Sequence, residues 1–383
     1  MTNIDNPPKV LSIMESSMGH GTYGNLLREY FSQSSSCHVD FYWSQDERKL
    51  AARVLRRLLS FRFPNKWIQK QNLDFRRFRA QIGNAYMARR LVTRKLSQAE
   101  YSAIHFHTYI LAFLSIDLMK KLPTVVSLDM TSAQVSRENT DPGLKWTYYP
   151  NIFLGKRVFE AASQIVTRSE WARKSVIEEY NIDEKKVKVA YPGINVTALA
   201  PAESPKADLQ KRFTILFVGG DFKRKGGSDV LEVFLGKFSD TAELNLVTQA
   251  PIKCKHSNIH IYDNVKAYTP KWIDLYRQAD VFVMPTYNEG FGWVFIEAMA
   301  AGLPVIATQI NAIPEMVTHK ETGFLIQPGD RGELARKIQY LMENPTLSRE
   351  MGAKGRKVVE QKFNTQTHCQ KIESIFREIS TFK

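Results

Sequence analysis

The chain has 383 residues, enough for two domains, and its 43% hydrophobic content is that of an ordinary soluble globular protein. The polar start MTNIDNPPKV has no apolar h-region, no apolar run nears the ~20 residues of a spanning helix, and the three cysteines, Cys37, Cys254 and Cys369, are scattered; a secretory signal, a membrane span, a disulfide framework and a cysteine zinc site are not expected, and a reducing cytoplasm fits. The formal net charge of +14 sits in one place, because 15 Lys/Arg between Arg48 and Lys95 face a single acid, Asp74, and the rest of the chain is neutral.

In chain order, KVLSIM (9–14) reads as a buried strand, followed by the glycine-bearing turn SSMGHGTYG and helix-like NLLREYF. CHVDFYW (37–43) is the next strand. After the basic segment come strand SAIHFHT (102–108), helix-like ILAFLSIDLMKK and strand PTVVSL (123–128). SQIVTRS (163–169), a helix and VKVAYPG (187–193) complete this half. Residues 195–212 hold two prolines and little apolar periodicity, as an interdomain linker does. The pattern then restarts with FTILFVGG (213–220), followed by strands ELNLVT, NIHIYD, DVFVMPT and PVIAT with helices between them, and ends on an amphipathic helix at 368–382. Short apolar strands alternating with helices predict an α/β fold of two successive Rossmann-like halves with a cleft between them, whose ligands sit at the carboxyl ends of strands.

Two such strand ends carry chemistry. In DVFVMPTYNEGFGWVFIEAMA, Glu289 lies just past a strand, and the amides of Gly290 to Trp293 open a helix, which suits an anion. Glu297 lies about one turn further in, among apolar neighbours, where a carboxylate is costly without a partner. Two readings stand: a pair of ligand-binding carboxylates, or a helix-dipole charge at Glu289 and an arginine partner for Glu297. In FVGGDFKRKGG (217–227), Arg224 and Lys225 stand beside Gly220 and other glycines, either to hold a diphosphate or as a solvated loop; no Walker A motif is present. Gly19, Gly21 and Gly24 have G-x-G-x-x-G spacing, a weak signal alone. His105 and His107 share a strand face, and packing or lining a cleft suits them better than binding metal.

Glu289-x7-Glu297 with EGFG and EAMAAGLPVIA, together with SEWARKSVIEEYNI…KVKVAYPGI, FVGGDFKRKGG, LYRQADVFVMPTYNEGFG and IPEMVTHKETGFLI in that order, resembles the retaining glycosyltransferases of family 4 over most of the chain. The resemblance implies the GT-B fold, with an acceptor-side domain at 1–198, a donor domain at 199–365 and a terminal helix (366–383) packed back on the first. It implies a sugar transferred from a nucleoside-diphosphate sugar to a hydroxyl of a saccharide or lipid-linked acceptor, with retained configuration and no other cofactor or metal. Arg224 and Lys225 would hold the diphosphate and Glu297 the ribose. Glu289 would lie near the donor sugar beside Gly290, Phe291 and Gly292. Gly19 and Gly21 would close a loop over phosphate and acceptor. Asp129 stands where many members have a histidine, and it either orients a hydroxyl or caps a turn. QINAIPE lacks the glycine pair frequent before Pro-Glu.

The basic segment interleaves cations with apolar residues. Leu50, Val54, Leu55, Leu58 and Leu59 approximate one helical face, and Pro64 interrupts. With Arg53, Arg56, Arg57, Arg62, Lys66, Trp67, Lys70, Arg76, Arg77 and Arg79 they form a patch expected either to lie on anionic lipid, at the inner face of the cell membrane, or to be a solvated helix face. Nucleic-acid binding is not expected, because no RRM, KH, zinc-finger or helix-turn-helix signature accompanies the charge. A GT-B protein that binds a nucleotide-sugar without turnover is the remaining alternative.

Overall fold

The structure is a computed structural model, and it describes residues 7–15, 20–47, 50–65, 67–68, 73, 75–139, 141–201 and 212–381. Gly19, Lys66 and Lys70 lie outside the described residues. The chain forms two compact units, Met1–Tyr191 with His368–Lys383, and Pro192–Thr367.

In the first unit six strands make one sheet, β1 (Lys9–Met14), β2 (His38–Trp43), β3 (Ala103–Phe106), β4 (Thr124–Leu128), β5 (Gln164–Thr167) and β6 (Val187–Val189), in the order β2-β1-β3-β4-β5-β6 with every pair parallel. Strands covered on both faces read as continuous apolar runs, and Val10, Leu11, Ile13 and Met14 are all fully buried. The helix after β1 begins at His20, inside the stretch read as a glycine turn, so Gly21 is helical rather than part of a loop. Tyr23, Leu27 and Phe31, four residues apart, are buried along that helix, and this apolar stripe draws the helix start back. ILAFLSIDLMKK also departs from its helix-like reading. It is a tight 3-10 turn, Tyr109–Ala112, and one helical turn, Ile116–Met119, because Tyr109, Leu111, Ala112 and Phe113 are buried in succession rather than on one face.

The second unit repeats the plan with β7 (Phe213–Val218), β8 (Ala242–Val247), β9 (Ile259–Tyr262), β10 (Val281–Met284), β11 (Val305–Thr308) and β12 (Gly323–Ile326). All pairs are parallel and the order is β12-β11-β10-β7-β8-β9. From β7 the chain winds outward through β8 and β9, then returns to place β10 on the other side of β7, with Val281 beside Ile215 and Phe282 beside Leu216. The loops leaving β7 and β10 therefore turn to opposite faces of the sheet. Such a switch point opens a crevice at the carboxyl ends of the strands, where ligands bind in open parallel sheets.

Candidate active site at the β7–β10 switch point

The loop after β7 (219–226) leads to helix Gly227–Lys237, and the loop after β10 (285–292) leads to helix Trp293–Ala300. They are tied together by backbone. Gly226 adopts φ +77°, and a Cβ there would lie 2.2 Å from the Pro285 carbonyl oxygen, so only glycine permits this approach. The Tyr287 amide and the Thr286 hydroxyl both donate to the Arg224 carbonyl, at 2.9 and 3.2 Å. Arg224 reaches back with Nη1 donating to the Asn288 carbonyl at 2.6 Å, while its Nε donates to Asp221 at 3.0 Å.

Between the loops the Lys225 ammonium rests against the Glu289 carboxylate, both side chains largely buried. Burial, and then the neighbouring Arg224 guanidinium, push the Lys225 pKa down to about 7, against which the Asp221 charge acts. Gly290, Phe291 and Gly292 lead into helix Trp293–Ala300 with Gly292 as its N-cap. A Cβ at Gly292 would meet the Phe295 ring at 2.6 Å, and Phe291 is buried against Phe363. Gly220 is exposed with open space around it.

Beside this pair lies a cavity of about 310 Å³, walled by Val218, Gly220, Lys225, Thr248, Tyr262, Trp272 and Val294 among others. It combines flat aromatic walls with a cationic edge, in a volume typical of small-molecule sites. Glu297 does not line it. Val294, one turn earlier, does.

Glu297 is 5% exposed, and its oxygens accept hydrogen bonds from the Tyr268 hydroxyl (3.0 Å) and the Tyr276 hydroxyl (3.3 Å). Two tyrosines thus take the place of the arginine partner, and Trp272 packs between them at 4.9 and 4.5 Å. Burial raises the Glu297 pKa to about 7, while the tyrosine hydroxyls pull it back toward the usual range. The folded chain therefore holds a proton that the unfolded chain releases near pH 4.5. This contribution to stability is complete below that pH and is lost as pH rises through about 7, a change of about 3 kcal/mol. Wild-type urea midpoints should fall between pH 5 and pH 8 by more than those of Glu297→Gln; parallel curves would contradict the burial argument.

The remaining expected residues lie in the first unit. Asp129 is half-buried in the bend after β4, and Gly21 sits in the first turn of helix His20–Gln33. His105 is held between the Ser12 and Ser127 hydroxyls at 2.8 and 2.9 Å, and burial pushes its pKa down to about 3, so it packs as a neutral ring. His107 meets Arg168 at 3.0 Å and stacks on Tyr23. Among the described residues no group of three His, Cys, Asp or Glu is placed to hold a metal.

Several contributors escaped the sequence reading. Tyr268, Trp272 and Tyr276 carry a signal, since YTPKWIDLY spaces its aromatics by four, one face of a helix. A second group carries none. The Tyr287 hydroxyl donates to Asp229 at 2.7 Å and Arg331 Nε donates to the other Asp229 oxygen at 2.7 Å, bracing the 285–292 loop from distant positions.

Comparison with known proteins agrees with this plan. Residues 21–198 match the family described as Glycosyltransferase Family 4, and residues 201–358 that described as Glycosyl transferases group 1. The capsular polysaccharide biosynthesis glycosyltransferase CapM of Staphylococcus aureus is 32% identical over 177 residues, 44% of this chain and 47% of that protein. The chain spans about half the length of CapM and of the D-inositol 3-phosphate glycosyltransferase of Streptomyces avermitilis, which it also matches. Among solved structures, sucrose-phosphate synthase of Thermosynechococcus elongatus superposes with a TM-score of 0.74 at 18% identity, covering 97% of this chain and 99% of that one. Anabaena HepE in complex with UDP-glucose gives 0.67 at 15%, covering 97% and 100%. At these identities the superpositions speak for the fold alone, GT-B. With two family matches in succession along the chain, the protein belongs to the group 1, family 4 glycosyltransferases.

Proposed function

We propose that the protein is a retaining glycosyltransferase that moves a sugar from a nucleoside-diphosphate sugar to a hydroxyl of a saccharide or lipid-linked acceptor in cell-envelope polysaccharide or glycolipid synthesis. The observation that carries this reading is the Lys225–Glu289 pair at the β7–β10 switch point, opening on a cavity with aromatic walls. The cavity takes the nucleoside, with the base against Tyr262 and the edge of Trp272. The diphosphate lies over Lys225, Arg224 and the amides of Gly290–Gly292, and Gly220 lets its oxygens approach the backbone. Glu297 does not line the cavity, so its assignment to the ribose rests on the E-x7-E resemblance, with spare lone pairs beside the tyrosine hydroxyls to accept the ribose hydroxyls.

In the reaction, charge develops on the diphosphate as the bond to the anomeric carbon breaks. Two cations and a helix N-terminus, fixed in place beforehand, meet that charge without reorganising. Glu289 then has two duties, orienting the sugar and keeping Lys225 charged. Asp129 orients a hydroxyl of the acceptor or of the sugar. The bound UDP-glucose in HepE and the capsular role in CapM's name favour the donor and acceptor classes proposed.

A thermal-shift screen of nucleoside-diphosphate sugars, followed by turnover with saccharide and lipid-linked acceptors, tests this. One donor should raise the melting temperature and be consumed, and the anomeric coupling constant of the product by proton NMR should match that of the donor. An inverted product overturns retention. A stabilising donor that is neither transferred nor hydrolysed marks a binding protein instead.

A further inference from the structure

The basic segment emerges as helices Leu50–Leu59 and Arg76–Leu96. The first packs on the second where Arg56 and Leu59 close over Gly83, and its other face is bare: Leu50 is 74% exposed and Leu58 64%. A second bare stripe, remote in sequence, lies in the same unit. Trp146, Tyr149 and Phe153 fall on one face at helical spacing, with Tyr149 68% and Phe153 62% exposed, and the next position on that face, Arg157, sits over the Phe153 ring at 5.9 Å.

Contacts at the start of helix Arg76–Leu96 join the two. Arg79 donates to the carbonyls of Leu59 and Phe61 at 3.1 and 3.0 Å, and Arg76 to that of Ser60 at 3.3 Å. On the other side, the Phe75 ring meets Trp146 edge-on at 5.3 Å and Arg77 lies over Tyr148 at 4.9 Å.

We propose that these two stripes form one docking surface for an anionic lipid bilayer. Exposed apolar area of this extent marks an interaction surface. Its charge selects the occupant, for residues 48–95 carry the whole net charge of the chain and residues 142–157 add Lys145, Lys156 and Arg157 with no acid. Two copies of so cationic a face repel each other, and nucleic-acid phosphates have no use for bare leucines. Anionic headgroups with acyl chains beneath satisfy both components, and Trp and Tyr suit the boundary between them. Among the described residues no helix is long and apolar enough to cross a membrane, so the contact is peripheral.

Sedimentation of the full chain with phosphatidylcholine vesicles, with and without phosphatidylglycerol, tests the surface without any donor and so separately from the transferase reading. Wild-type protein should pellet with the anionic vesicles at low ionic strength and be released by salt. Tyr149→Ser/Phe153→Ser and Leu50→Ser/Leu58→Ser should each weaken partition about tenfold or more, with unchanged melting temperatures. Three results overturn the proposal: wild-type protein left in the supernatant, variants that bind like wild type, or a self-association on size exclusion that both variants abolish.

Discussion

Lys225→Ala should lower kcat about 10²- to 10³-fold, the effect of removing one preorganised group that meets charge developing in a transition state. It should also destabilise the fold, because Glu289 would remain largely buried without the ammonium that rests on it. Breaking a buried pair from one side costs about 3 kcal/mol. The two effects separate in the double variant Lys225→Ala/Glu289→Gln, which should recover most of the urea midpoint and none of the turnover. Recovered turnover would mean that Lys225 acts only as a structural counter-ion.

The same residue sets a pH limb. With its pKa held down to about 7, Lys225 loses its charge as pH rises, and kcat/KM, which reports the free enzyme, should fall on the alkaline side. Lys225→Arg keeps a cation across this range, so its alkaline limb should move out of view even if its maximum rate is lower. An alkaline limb unchanged in Lys225→Arg would assign it to another group.

Gly226→Ala should be the most damaging of the loop glycine substitutions. The position adopts φ +77°, and a methyl group there would lie 2.2 Å from the Pro285 carbonyl oxygen, inside a backbone that cannot swing aside. Left-handed strain and this overlap together cost about 3 kcal/mol. The loops would separate where Tyr287 and Thr286 hold the Arg224 carbonyl, so Arg224 and Lys225 both shift. A displacement near 1 Å costs about 100-fold in rate. Gly220→Ala is the control. Nothing lies within 4 Å of its added Cβ, and its urea midpoint should correspond to a change within about 0.5 kcal/mol of wild type. Equal midpoints for the two variants would show that the loops tolerate separation.

Strands β1 to β11 and their alternation with helices were legible because they rest on local pattern: apolar runs such as Ile215–Phe217 and Val281–Met284 must be buried wherever they go, whereas the four-residue, glycine-led β12 was not read as a strand. The two loops that meet at the β7–β10 switch point could be located for the same reason, since FVGGDFKRKGG and NEGFG each follow such a strand directly. The strand order was not legible. That β10 returns to lie beside β7 is a long-range pairing, and only this pairing sets Lys225 against Glu289, 64 residues away.

Glu297 marks the same boundary. Its sequence neighbours announce a carboxylate in an apolar setting, which local reading prices correctly. Its partners, Tyr268 and Tyr276, come from another segment, as Phe75 and Trp146 do at the surface. Side-chain period and burial are properties of a dozen consecutive residues, so the sequence by itself determined most of the elements and which side chains they carry, but not where the helix after β1 begins or how ILAFLSIDLMKK folds. Which distant groups share a proton, a cavity or an exposed face depends on how those elements pack, and that only the tertiary structure decided.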